Sequence, residues 1–167
     1  KILKRDRMLV LAAFLARWVA YLGTEIFGTD SANLMRMAEL FHEHRRWEAL
    51  SIGYHPAYPF LISLVSPVLG VERSGFWVAV LLGSAAAGPL FFAARDAFSR
   101  LPAFLGTLFY AVHSHIVEVH ADVMTEGTFM FFLFSAIWLG GECVKKPRWS
   151  VCVLSGLAAG LSFLTRP

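Results

Sequence analysis

The sequence predicts an all-α integral membrane protein, with about five transmembrane helices and amphipathic interfacial helices in the first outer loop. Three observations lead there. Hydrophobic residues make up 57% of the 167 residues and charged residues 16%, against about 45–50% and about 25% in an ordinary soluble domain. The apolar residues are gathered into long runs separated by short polar pieces. One orientation of those runs places most of the basic residues in very short loops on a single side.

The balance of charge follows from the same picture. A net charge of +3 and a pI near 9.1 are explained by basic residues flanking the spans, so no nucleic acid is implied as a partner. Cys143 and Cys152 both fall on or near the predicted cytoplasmic half, and no disulfide framework is expected of them. The apolar run after Lys1–Arg7 is too long for the core of a cleavable signal and has no clear small-x-small site. The chain stops directly after an apolar run, at Leu164-Thr165-Arg166-Pro167, which reads as a piece of a longer protein.

Taken in order, the first span is Met8 to about Phe27. Arg17 lies near its middle, where a charge is expensive; it is expected to face a polar cavity or to pair with an acidic group inside the bundle. Glu25 marks the outer end. Residues 30 to about 47 form an amphipathic helix, with Leu34, Met37, Ala38 and Phe41 at i, i+3, i+4 and i+7. Its narrow apolar stripe and charged face suit a helix lying on the membrane. Gly53-Tyr54-His55-Pro56-Ala57-Tyr58-Pro59 follows as a rigid, extended turn, because proline keeps the preceding residue out of the helical region. Residues 60–69 are apolar but far short of the ~20 needed to span, and read as an interfacial or re-entrant helix. The remaining spans are about 75–94, 101–117, 125–141 and 149–164. In the last, Gly156, Ala159 and Gly160 would allow another helix to approach closely.

With the N-terminus in the cytoplasm and 60–69 not crossing, Lys1, Lys4, Arg5, Arg7, Arg95, Arg100, Lys145, Lys146 and Arg148 are cytoplasmic, nine of the fifteen basic residues. Counting 60–69 as a span would put Arg95 and Arg100 outside and break the pattern. All six histidines then fall in the outer half, so any chemistry is extracytoplasmic.

Three outer pieces can carry it. Asp30, in Gly28-Thr29-Asp30-Ser31-Ala32-Asn33, stands at a helix start, where free N–H groups and the positive dipole end favour a carboxylate. It is either the base of a membrane-embedded site or a helix cap. His55 sits in the proline-rich turn. Asp122 and Glu126 are four apart, on one face if the helix has begun; they either bind a metal or orient a sugar, or are a solvated loop residue and a first-turn carboxylate stabilised by the helix dipole. His55, Asp122 and Glu126 are the candidate metal ligands, although no compact motif such as HExxH is present. His113 and His115 read as packing residues. Arg166 emerges on the outer side with a guanidinium suited to a lipid phosphate, or as an interfacial anchor.

In this order and spacing, the set resembles the N-terminal part of a polyprenyl-phosphate-sugar-dependent glycosyltransferase of the GT-C superfamily. The likeness is to the aminoarabinose-transferase and protein O-mannosyltransferase group (glycosyltransferase family 39-like). It rests on the Arg17-bearing first span, Phe27-Gly28-Thr29-Asp30, His55-Pro56-Ala57-Tyr58-Pro59, the Thr125-Glu126 helix start and the closing Gly156–Pro167. The resemblance implies transfer of a hexose or pentose, with inversion, from a lipid-phosphate donor to a hydroxyl or phosphate acceptor at the extracytoplasmic face of the cell membrane. Asp30 would be the catalytic base. Arg17, His55, Tyr58, Arg166, Glu126 and Asp122 would hold the donor phosphate and sugar, a divalent metal being the one cofactor in question. The partners implied are the lipid donor, the bilayer and a glycan, lipid or protein acceptor. Relatives often carry a second carboxylate where this chain has Ser31, and have more spans, so the piece alone is expected to be inactive. The rival reading is a transporter or flippase of a lipid-linked sugar, which should show repeat-related broken spans; no internal repeat is visible.

Overall fold

A computed structural model describes residues 3–23 and 29–166; Glu25, Phe27 and Gly28 lie outside the described residues. Among these, every regular element is an α-helix. They are α1 (Leu3–Gly23), α2 (Thr29–His42), α3 (Arg46–Ser51), α4 (Ala57–Leu69), α5 (Val71–Ala85), α6 (Ala87–Ala97), α7 (Arg100–Val112), α8 (Ser114–Val119), α9 (Glu126–Lys145) and α10 (Trp149–Thr165).

Among the described residues two helical stretches are long and apolar enough to cross a membrane: Val71–Ala97, with 27 residues, and Glu126–Lys145, with 20 residues, whose 18-residue windows have mean hydropathies of 1.8 and 1.5. Met8–Gly23, Ala57–Leu69, Arg100–Val112 and Trp149–Thr165 are apolar but shorter. The first stretch joins α5 to α6 through Ala86, whose backbone stays helical (φ −58°, ψ −25°). The joint falls three residues before Pro89, which has no N–H to give Ala85. This rod is the centre of the bundle, and α1, α4, α7 and α9 all pack on it.

On α1, α7 and α10 the exposed face is more apolar than the buried one. On α1 the exposed face is Leu11, Leu15, Val19 and Leu22, while Leu9, Ala13 and Arg17 are buried. On α7 the exposed residues are Leu101, Leu105, Phe109 and Val112, and the buried ones Ala103, Thr107, Tyr110 and Ala111. On α10, Leu154, Leu157, Leu161 and Leu164 face out while Ala158, Ser162 and Thr165 face in. Large apolar side chains outside and small or polar ones inside are what a hydrocarbon solvent selects, since it offers no reward for burying leucine.

The ends of the bundle differ in charge. The C-terminal ends of α6 and α9 and the N-terminal end of α7 lie together, with Lys145 Nζ 2.7 Å from Asp96 Oδ2; Arg95, Arg100, Lys146 and Arg148 belong to the same end. The opposite end is capped by α2, α3 and α4. There Leu34 and Ala38 of α2, Tyr58 and Ile62 of α4, Phe76, Val78 and Ala79 of α5, and Val123 form one core.

Several boundaries depart from expectation. The amphipathic helix predicted over 30–47 is cut at residues 43–45, where His44 takes a left-handed turn (φ 61°). Arg45 then pairs with Glu43 (3.1 Å) and with Glu48 (Nε to Oε1, 2.8 Å). Helix α4 begins at Ala57 rather than 60, because Pro59 falls in its first turn, where no N–H is required, and it stops at Gly70 (φ 78°). The span predicted over 101–117 is broken at His113, which is extended (ψ 120°). The small residues that bring helices together are also not the predicted ones. Gly156 and Gly160 face open space, whereas a Cβ on Gly127 of α9 would stand 3.1 Å from the Gly83 Cα and the Ala79 carbonyl of α5. Cys143 and Cys152, expected to remain unpaired, form a disulfide with Cα atoms 5.3 Å apart. The cause is the antiparallel α9–α10 hairpin, whose three-residue connection sets the two positions face to face.

Candidate active site

Asp30 lies in the first turn of α2, inside the helix rather than ahead of it, and is exposed. The Tyr54 hydroxyl donates to Asp30 Oδ1 at 2.8 Å, and Asn33 Nδ2, one turn along α2, donates to the Tyr54 oxygen at 3.3 Å. The carboxylate is thus fixed through one oxygen by a side chain of the turn between α3 and α4. Sequence reasoning quoted Tyr54 within that turn but gave it no role; an aromatic hydroxyl 24 residues away carries no local signal. Ser31, where the resembling family often has a carboxylate, is fully buried with its hydroxyl unpartnered.

Glu126 opens α9 and Arg166 follows α10, so the hairpin that pairs the cysteines at one end joins these two at the other. Arg166 Nη1 donates to Glu126 Oε1 at 2.6 Å. The guanidinium is about half exposed (54%) and keeps a free edge toward solvent, while the glutamate is mostly covered (22%). The second carboxylate oxygen of Glu126 is buried without a partner, an acceptor waiting for a hydroxyl or N–H.

Tyr58 lies beneath this pair, fully buried, with its hydroxyl donating to the Gly75 carbonyl at 3.0 Å. Burial pushes this hydroxyl well above its ordinary value, and the nearby carboxylates of Asp122 and Glu126 push it further, so it remains a neutral donor. Asp122 accepts the Val123 N–H at 2.6 Å, and Val123 is wedged against Gly75, where a Cβ would be 2.9 Å from its Cγ1. Tyr58, Asp122, Glu126 and Arg166 therefore form one neighbourhood. Asp30 and Tyr54 connect with it through the shared α2–α4–α5 core. His55 is half-buried in the turn beside Tyr54, and no hydrogen bond joins it to the cluster.

Arg17 departs from the expected arrangement. It is completely buried, and its partners are neutral: the carbonyls of Ala13 (3.0 Å) and Ala111 (3.4 Å), His120 Nδ1 (3.1 Å) and the face of Tyr110, 5.0 Å from its centroid. Among the described residues no acidic side chain pairs with it. Among the described residues no group of three or more His, Cys, Asp or Glu side chains is placed to hold an ion, and His55, Asp122 and Glu126 form no such group.

Residues 54–167 match the family model described as dolichyl-phosphate-mannose-protein mannosyltransferase. No curated protein and no solved structure matches the chain.

Proposed function

Given that the chain belongs to the dolichyl-phosphate-mannose-protein mannosyltransferase family, membrane glycosyltransferases of the GT-C type, we propose that it moves a sugar from a polyprenyl-phosphate donor to a hydroxyl or phosphate acceptor, with inversion, at the extracytoplasmic face of the cell membrane. On this reading α1, α5–α6, α7–α8, α9 and α10 cross the bilayer, and the Arg95–Arg100–Lys145 end is cytoplasmic. Helices α2 to α4 then lie on the outer interface.

The observation that carries the reading is the held carboxylate of Asp30, on the same end of the bundle as the Arg166–Glu126 pair. Tyr54 occupies Oδ1 and leaves Oδ2 to take the proton of the acceptor hydroxyl as its oxygen attacks the anomeric carbon. The bond from that carbon to the phosphate oxygen breaks, and the electron pair leaves with the polyprenyl phosphate. Arg166 offers its exposed edge to the anion, with Glu126 setting the plane of the guanidinium. Glu126 Oε2 and Asp122 are acceptors for sugar hydroxyls, and Tyr58 supports them from below.

The test follows release of polyprenyl phosphate by the full-length protein in nanodiscs, with a panel of lipid-phosphate sugars and native membrane extract as acceptor. Asp30→Asn should lower release roughly 10²–10⁴-fold, the range for a positioned general base, while remaining folded. Equal release by both proteins would return Asp30 to a structural role. Binding and translocation of labelled lipid without release would instead favour the flippase reading.

A further inference from the structure

We infer that Arg17 is a positioning residue: together with Tyr110 it holds His120, and through His120 the segment 120–126 that presents Asp122 and Glu126. The cation is stabilised without a counter-ion because α7 ends where it does. His113 turns extended and caps the helix by donating to Phe109 O, so the carbonyl of Ala111, in the last turn, has no intrahelical donor. Arg17 Nη1 reaches it at 3.4 Å. The C-terminal end of a helix carries partial negative charge, and the Tyr110 ring face adds a second neutral attraction.

The other arm, Nη2, lies 3.1 Å from His120 Nδ1. Guanidinium only donates, so Nδ1 accepts and His120 is neutral with its proton on Nε2. The imidazole fits because position 83 has no side chain: a Cβ there would stand 3.0 Å from Nδ1 and 3.1 Å from the His120 Cβ. Tyr110 closes the arrangement, its hydroxyl donating to Gly83 O at 2.8 Å. Elements α1, α5, α7 and the turn after α8 thus meet at one buried point. Two residues beyond His120 is Asp122, then Val123 against Gly75, then Glu126 at the head of α9. That these acidic residues meet substrate rests on the proposed function; the latch itself does not.

The two uses of Arg17 predict opposite results. A phosphate ligand must reach the lipid, whereas a latch governs the order of the 120–126 segment. In full-length protein in nanodiscs, amide exchange would be followed at 121–126, with α10 as internal reference, in Arg17→Met, His120→Leu and His120→Asn. Affinity for the polyprenyl-phosphate donor would be measured alongside. His120→Leu and Arg17→Met should raise exchange at 121–126 by about tenfold or more, leaving α10 unchanged. His120→Asn should stay within about threefold of native, because its Oδ1 can accept where Nδ1 did. Donor affinity should hold in His120→Asn, and both affinity and turnover should fall in His120→Leu, where the segment bearing Asp122 and Glu126 is loosened. Native exchange in His120→Leu would overturn the proposal, as would loss of donor binding in Arg17→Met with native exchange at 121–126. Should Arg17→Met fail to fold, the contrast between the two His120 variants decides alone. Because exchange needs no turnover, the latch can fail or stand independently of the transferase reading.

Discussion

Tyr54 decides what Asp30 can do, since a carboxylate at an exposed helix start is otherwise free to rotate. A hydrogen bond to a charged group contributes about 1.5–3 kcal/mol, and the exposure of Asp30 places this one at the low end. Tyr54→Phe should therefore lower turnover by roughly tenfold with the KM for the donor unchanged; an unaltered turnover number would show that Tyr54 does not orient the base. Tyr58 offers a pH test. Burial raises its folded value well above that of an ordinary tyrosine, so the native state keeps a neutral phenol where the unfolded chain ionises. The resulting stabilisation is complete below about pH 10 and is lost as pH rises from there toward the raised folded value. Thermal midpoints across roughly pH 9 to 11 should fall for the native protein and fall less for Tyr58→Phe.

At the scale of elements, the contact of α5 with α9 positions the site, because it sets the height of Glu126 above Tyr58. Gly127 makes that contact backbone to backbone: an added Cβ would meet the Gly83 Cα and Ala79 O, each at 3.1 Å. Neither atom can swing aside as a side chain would. Gly127→Ala should cost about 1–3 kcal/mol, as overpacking does, whereas Gly156→Ala, with nothing within 4 Å, should be neutral or slightly stabilising through helix propensity. Thermal unfolding of the two variants in the same detergent checks the ordering. A larger loss for Gly156→Ala would place the close packing on α10 after all.

The whole molecule exposes a largely apolar surface along its helices and buries a mixed interior in which polar side chains such as Arg17, Thr107, His120 and Ser162 sit among apolar ones, with basic residues at one end and the carboxylate–guanidinium cluster at the other. That arrangement gives Cys143 and Cys152 a use as reporters of orientation, since they lie beside Lys145, Lys146 and Arg148. After reduction, a membrane-impermeant maleimide should label them only in permeabilised cells, while a cysteine introduced at exposed Trp47 should label in intact cells. Labelling of the native cysteines from outside would invert the proposed topology and move the site to the cytoplasm.

The sequence by itself determined the class of the protein and its main divisions. Runs of apolar residues, proline and glycine at 53–59 and 70, and the distribution of lysine and arginine are local quantities, readable one window at a time. They located the long helices, although α2 and α7 stop at His42 and Val112, short of the bounds expected from the sequence. Asp30, Asp122, Glu126 and Arg166 were legible as polar groups at helix ends, where a charge in a membrane protein must find water or a partner. The tertiary structure decided which of them meet. Glu126 and Arg166 are 40 residues apart and joined by a hairpin, and Tyr54 finds Asp30 across two helices. Arg17 is held by a helix end, a ring face and an imidazole 103 residues away, none of which has a charge to announce it. The breaks at His44 and His113 were invisible for the same reason: each is a single backbone torsion, fixed by how the flanking helices pack rather than by a breaker residue. Periodicity and charge are properties of short windows, while partners across a bundle are set by packing over the whole chain.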